Sequence, residues 1–197
     1  KTLAAKRTVL DNAVTVFRRR TKEAKKALDD IWHAPLLFHN AKFDLAVAIS
    51  HMGLPMPENH TWIHDTMYLL FLNDPYSTSL GLKPSAEALL DMPPLEQQEL
   101  TAWIVNNTPC PNEKHAGAYI ALAPGELVGK YAKGDTDRTY ALWIKLYPEM
   151  RNKEMGLAYN REQLLMPITY YSEVRGVRVD TELLQSDLDH YENTLHK

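Results

Sequence analysis

Two short stretches of this chain carry side chains whose types and spacing suit one piece of chemistry. His39-Asn40-Ala41-Lys42-Phe43-Asp44 sets a carboxylate just beyond an apolar run, and far downstream Tyr131-Ala132-Lys133-Gly134-Asp135 sets a phenol and a second carboxylate four residues apart. Hard divalent cations select oxygen ligands, and carboxylates offset their charge. Two aspartates and a tyrosine gathered at one place would suit a divalent metal held beside a phosphate.

The elements that would gather them are legible in the pattern. Residues 34–39 form a short apolar run between Pro35 and Asn40, as expected for a buried parallel strand. Asp44 then opens a helical segment, Leu45 to Ile49, that ends at Gly53 and Pro55. The carboxylate is thereby expected at a strand's carboxyl end, where open α/β sheets carry their sites. Downstream, Leu127, Val128, Tyr131, Tyr140, Leu142, Trp143 and Leu146 recur at helical spacing over Leu127 to Leu146, so Tyr131 and Asp135 share one helix face. Each piece also has a plainer reading. Asn and Asp after a strand are good helix caps, and a Tyr and Asp four apart fit a core aromatic beside a solvated acid.

In combination the blocks resemble the second and third exonuclease motifs of the DEDD nuclease superfamily. Asn40, Phe43 and Asp44 match N-x-x-[FY]-D, and Tyr131 and Asp135 match Y-x-x-x-D. A Tyr before the last Asp is similar to the DEDDy branch, which includes the proofreading 3′–5′ exonuclease of family A DNA polymerases. Asp65-Thr66, between the two motifs, resembles the strand end and helix start that the family has there. A further segment, Glu173-Val174-Arg175-Gly176-Val177-Arg178-Val179-Asp180, is similar to E-x-x-G-[VF]-x-[VIF]-D, by which family A polymerases pass from exonuclease to polymerase domain. There a helix ends at the Gly, and the Asp caps the next helix, here Leu183 to Leu195.

The resemblance covers residues 34–197 and implies an α/β fold of ribonuclease H-like (DEDD exonuclease) type, in partial form, followed by the helical start of a polymerase domain. The implied division is an exonuclease domain over 1–150 and a junction with the beginning of a family A polymerase domain over 151–197. The implied activity is two-metal hydrolysis of DNA 3′ ends with two Mg²⁺ or Mn²⁺ ions, releasing nucleoside monophosphates. Asp135 would hold the metal that activates water, and Asp44 would help hold the other. Tyr131 would orient the water through its hydroxyl, being a poor base at neutral pH. Asn40 and Phe43 would contact the strand end. The implied partners are a single-stranded DNA 3′ end or primer-template and the remainder of the polymerase chain.

The superfamily also needs a D-x-E on a first strand, and none precedes Asn40. Thr8 to Trp32 reads instead as one helix, with Leu10, Ala13, Val14, Phe17, Ala24, Leu28 and Ile31 at helical spacing. The chain does not open with Met, so the first-motif strand is expected upstream of Lys1. Asp180-Thr181-Glu182 is a D-x-E too, but its place after Gly176 suits a helix cap better.

Composition narrows the classes. The 197 residues are 45% hydrophobic, enough for a core of ordinary size. No apolar run approaches the roughly eighteen residues needed to cross a bilayer. There is no signal-peptide pattern. A soluble, cytoplasmic chain is expected, in the host cytoplasm if phage-encoded. Cys110, the single cysteine, has no disulfide partner and no zinc-site company. The net charge is −3, yet Arg18, Arg19 and Arg20 belong to a basic N-terminal stretch that would attract a phosphate backbone or simply face solvent. Two other readings are a stand-alone ribonuclease D-like exoribonuclease and a non-catalytic nuclease-like module that holds DNA.

Overall fold

The structure is a computed structural model that describes residues 22–195. Residues 22–31 are helical and belong to the helix expected over Thr8 to Trp32, whose earlier part lies outside the described residues. Strand β1 (Leu36–Phe38) leads into helix α1 (Ala41–Met52), a 3₁₀ turn at His60–Trp62 and strand β2 (Ile63–Asp65). Helices α2 (Thr66–Asn73), α3 (Leu82–Leu90) and α4 (Leu95–Asn107) follow, then a 3₁₀ segment, Glu113–Leu122. The long α5 (Gly125–Asn152), α6 (Gly156–Arg175) and α7 (Thr181–Leu195) complete the described chain.

The described residues are thus mostly helical around a two-stranded parallel sheet in which Leu36 faces Ile63, Leu37 faces His64 and Phe38 faces Asp65. This is a smaller α/β element than a ribonuclease H-like arrangement has. β1 is parallel, as expected, but shorter and half-buried rather than buried, because a strand pairs with it on one side only among the described residues.

Helix α1 starts at Ala41, so Asp44 lies within its first turn instead of ahead of it. The reason is at Asn40, which adopts a left-handed conformation (φ 67°, ψ 58°) that Asn tolerates better than most residues. At the other end Gly53, at φ 66°, closes α1 by donating its N–H to the last turn. The buried Asp65 carboxylate accepts from the N–H of Asn40 (2.9 Å), Ala41 (2.7 Å) and Met67 (2.8 Å). One side chain therefore satisfies free amides at the starts of both α1 and α2 and ties the two strand ends together.

Pro148-Glu149-Met150 reads in the sequence as a break, yet helix α5 runs through Pro148 to Asn152. A helix-interior proline forfeits one backbone hydrogen bond. Here Leu142, Leu146 and Met150, spaced along one face, are all buried in the core with Leu69, Leu70, Leu72, Ala86 and Tyr159, and that packing carries the helix through. A second cluster joins Trp32, Ala41, Leu45, Ala48, Leu54, Ile63 and Met166, and Tyr68 packs against both clusters. Tyr159 and Met166 of α6 thus share cores with residues that precede 150. Gln163, also on α6, donates to the carbonyls of Thr61 (2.8 Å) and Ile63 (2.9 Å).

Helix α4 is fastened to α5 by a buried ion pair. Arg138 is 3% exposed and bonds both carboxylate oxygens of Glu96 and the carbonyls of Met92 and Pro93. Gly134 makes room for it, since a Cβ there would meet Glu96 Oε1 at 2.5 Å and Arg138 Nη1 at 2.9 Å. At the far end Gly176 ends α6, and Asp180 accepts from the Leu183 N–H at 3.1 Å, so Asp180 is a helix cap. No residue of α7 is buried, and Leu184, Leu188, Tyr191 and Leu195 form an exposed apolar stripe.

Tyr159 accepts the buried Asp65 N–H at 3.1 Å. Replacing it by Phe leaves that donor unpaired, so Tyr159→Phe should cost about 1–3 kcal/mol in urea denaturation. A loss under roughly half a kcal/mol would show that water replaces the hydroxyl. His64, 4.5 Å from the Trp143 ring, has a pKa lowered by burial. The fold therefore favours the neutral imidazole: its contribution is whole above the unfolded value of about 6.5 and is lost as pH falls below it. His64→Phe should flatten the fall in melting temperature between about pH 7 and pH 5; an unchanged slope would assign that fall elsewhere.

Candidate active site

The cavity that matters here, about 360 Å³, is lined by Leu37, Phe38, His39, Phe43, Asp44, Leu82, Asp135, Thr136 and Thr139. It lies at the carboxyl end of β1, between the first turn of α1, the start of α3 and the middle of α5. Asp44 and Asp135, far apart in sequence, line this one space, and Phe43, 65% exposed, stands at it.

Electrostatics distinguish the two carboxylates. Asp44 is raised above the usual carboxylate range, first by partial withdrawal from water and second by the nearby Asp65 carboxylate. Asp65 is raised chiefly by burial, opposed by its three amide donors. Asp135 instead sits among cations: Lys83 Nζ is 3.1 Å from its Oδ2, and Arg138 Nη1 is 3.8 Å from its Oδ1. That Oδ1 is buried and has no hydrogen-bond partner among the described residues.

Tyr131 does not line the cavity but a separate recess with Leu100, Ile104 and Ile120; Lys83, which bonds Asp135, also donates to the Tyr131 hydroxyl at 2.9 Å and lies 4.4 Å from its ring centre. Asn40 is exposed and does not line the cavity either; its backbone N–H on Asp65 and its left-handed turn are its visible contributions. Arg18, Arg19 and Arg20 lie outside the described residues. Asp180 and Glu182 line a separate recess with Arg178, Val179 and Thr181. Cys110 is buried with Leu100, Ile104 and Ala116, and His115 pairs with Asn112 at 2.8 Å, so thiol and imidazole have structural partners.

Sequence reasoning overlooked His39, Lys83 and Arg138. His39 lines the cavity and bonds Thr66 Oγ1 at 2.9 Å through Nδ1. Burial lowers its pKa, against the pull of the Asp65 and Asp135 carboxylates and the Leu80 carbonyl. For Lys83 one signal was available: it sits in the first turn of α3, where the helix dipole disfavours a cation, so a compensating anion was to be sought.

The donor set suits a hard cation in part. Asp44 and Asp135, both carboxylates, line one space, and Asp135 Oδ1 has no hydrogen-bond partner among the described residues. Among the described residues, however, no group of three or more His, Cys, Asp and Glu side chains stands close enough together to hold a metal. A divalent ion there would need further oxygens from water or phosphate, as Mg²⁺ commonly takes.

Similarity to known proteins is distant and consistent in direction. The chain is 27% identical over 165 residues to the DNA polymerase of Escherichia phage T5, an alignment covering 82% of this chain and 19% of that protein. It is 29% identical over 126 residues to DNA polymerase I of Rhizobium leguminosarum, covering 61% of this chain and 11% of that one. The chain thus spans well under a quarter of the length of either relative. No family model matches it, and no solved structure does. The chain is a distant relative of part of DNA polymerases of phage and bacterial type.

Proposed function

We propose that this chain is the 3′–5′ exonuclease region of a family A DNA polymerase, a partial ribonuclease H-like unit that acts on single-stranded DNA 3′ ends, with residues from about 151 onward leading into the polymerase part. The observation that carries this reading is the meeting of Asp44 and Asp135 at one cavity, at the carboxyl end of a parallel strand, in a chain related to DNA polymerases.

In this reading Asp44 and Asp135 hold two Mg²⁺ or Mn²⁺ ions together with phosphate and water. When bound, these ions would supply charge stabilisation for the attacking and leaving oxygens of phosphodiester hydrolysis. Asp135 approaches from α5, its position fixed by the Arg138–Glu96 pair one turn further along. Asp44 approaches from α1, whose start is anchored by Asp65. Phe43 offers an exposed ring on which the terminal base would stack. Asn40, beside it, would hydrogen-bond the strand end. The Tyr131 hydroxyl would orient the attacking water once its bond to Lys83 opens. Arg18, Arg19 and Arg20 would add backbone attraction that weakens with salt.

One observation favours a second reading, a nuclease-like module that holds DNA without cutting it: the described residues bring no third acidic ligand to the pair.

Release of mononucleotides from 3′-labelled single-stranded DNA in Mg²⁺ or Mn²⁺ separates the two readings. Asp44→Ala and Asp135→Ala should each reduce release by about a hundredfold or more, with far-UV circular dichroism unchanged. Release that survives both substitutions overturns the assignment. Binding of DNA with no release from any form, even when a segment carrying a first-motif D-x-E is joined ahead of the chain, favours the second reading.

A further inference from the structure

Lys83 occupies the position of a counter-ion at the candidate site. Its ammonium lies 3.1 Å from Asp135 Oδ2 and 2.9 Å from the Tyr131 hydroxyl, and the same nitrogen stands 4.4 Å from the Tyr131 ring centre. It thus engages two residues that the proposed function assigns to metal and water. The other cation near Asp135 is not free to move, because Arg138 is buried and committed to Glu96, Met92 and Pro93. Lys83 differs on every count. Its side chain is 20% exposed, its flexible stem permits the ammonium to swing out, and its place in the first turn of α3 is one where the helix dipole repels it. Asp135 Oδ1, meanwhile, is buried with no hydrogen-bond donor among the described residues, only the Arg138 guanidinium standing 3.8 Å away.

We propose that Lys83 is a tethered resident cation on Asp135 that a divalent ion displaces, so that the site alternates between a self-neutralised form and a metal-loaded one. In the first form the ammonium balances Asp135 and ties up the Tyr131 hydroxyl. In the second the ammonium withdraws into solvent and the phenol is released. The exchange resolves a conflict of charge: an ammonium and a divalent ion cannot both crowd one carboxylate in a partly buried site without strong repulsion. Lys83 is a positioning residue in this scheme. It sets the metal concentration at which the site loads and needs no contact with the scissile phosphate.

The inference rests on the proposed metal-binding role of Asp135, and its test separates the two. Mn²⁺ binding to the chain is measured by electron paramagnetic resonance of the free ion, with no nucleic acid present. Lys83→Met keeps the stem and removes the charge, and it should bind Mn²⁺ about tenfold more tightly than the parent, the scale of one partly buried charge pair. Lys83→Gln should show the same direction, which guards against a packing effect peculiar to Met. Adding Asp135→Asn to either variant should abolish the gain. Mn²⁺ binding by the parent with equal or weaker binding by both Lys83 variants overturns the displacement scheme and leaves the nuclease reading standing. Absence of Mn²⁺ binding from all forms likewise overturns the displacement scheme, and the nuclease reading is then judged by nucleotide release alone.

Discussion

The Asp65 carboxylate is the constraint on which the rest of this structure depends. It is almost wholly buried, and burying a carboxylate is costly unless its lone pairs are used. Here Oδ1 accepts from Asn40 and Met67, Oδ2 accepts from Ala41, and the backbone N–H of Asp65 itself donates to Tyr159. Those bonds link the end of β1 to the end of β2, start α1 and α2, and attach α6 to the sheet. Burial still raises its pKa despite three amide donors, so the desolvation cost is only partly offset. The same charge reaches the candidate site, where it contributes to the raised pKa of Asp44 and opposes the lowered pKa of His39.

Around that anchor the two sides of the cavity are built by different means. Asp44 is carried on the first turn of α1, whose start Asp65 holds and whose inner face is buried through Ala41, Leu45 and Ala48. Asp135 stands on a 28-residue helix and is fixed by charge rather than by apolar packing. Gly134 leaves room for Glu96 and Arg138 to meet, and Arg138 in turn stands beside Asp135. A buried arginine bonded to Glu96 and two carbonyls on one side, and a partly exposed lysine bonded to Tyr131 on the other, give one carboxylate two unlike neighbours.

The comparisons relate the chain to DNA polymerases, and the cavity brings Asp44 and Asp135 to one space. The aligned portion is a small fraction of each relative, so the proposed activity rests on the cavity's own residues and not on likeness to a whole polymerase. The exposed stripe on α7 and the apolar side chains left uncovered on α6, such as Leu164, Ile168 and Val174, lie along the segment read as the junction.

What the sequence by itself determined is local. Helical spacing announced the Tyr131–Asp135 face of α5, and the Gly176 stop and Asp180 cap follow from residues a few positions apart. Where local rules and packing conflict, packing prevailed: Pro148 signals a break, yet Leu142, Leu146 and Met150 keep the helix running because their burial outweighs one lost hydrogen bond. Asn40 reads as a cap side chain or a strand-end contact, but its backbone conformation is what the turn uses. Only the tertiary structure decided which distant charges meet. Asp65 finds amides on α1, Lys83 finds Asp135, and Arg138 finds Glu96. Periodicity records which face of an element is apolar; it carries no record of which buried ion will stand opposite another, because that depends on how whole helices pack.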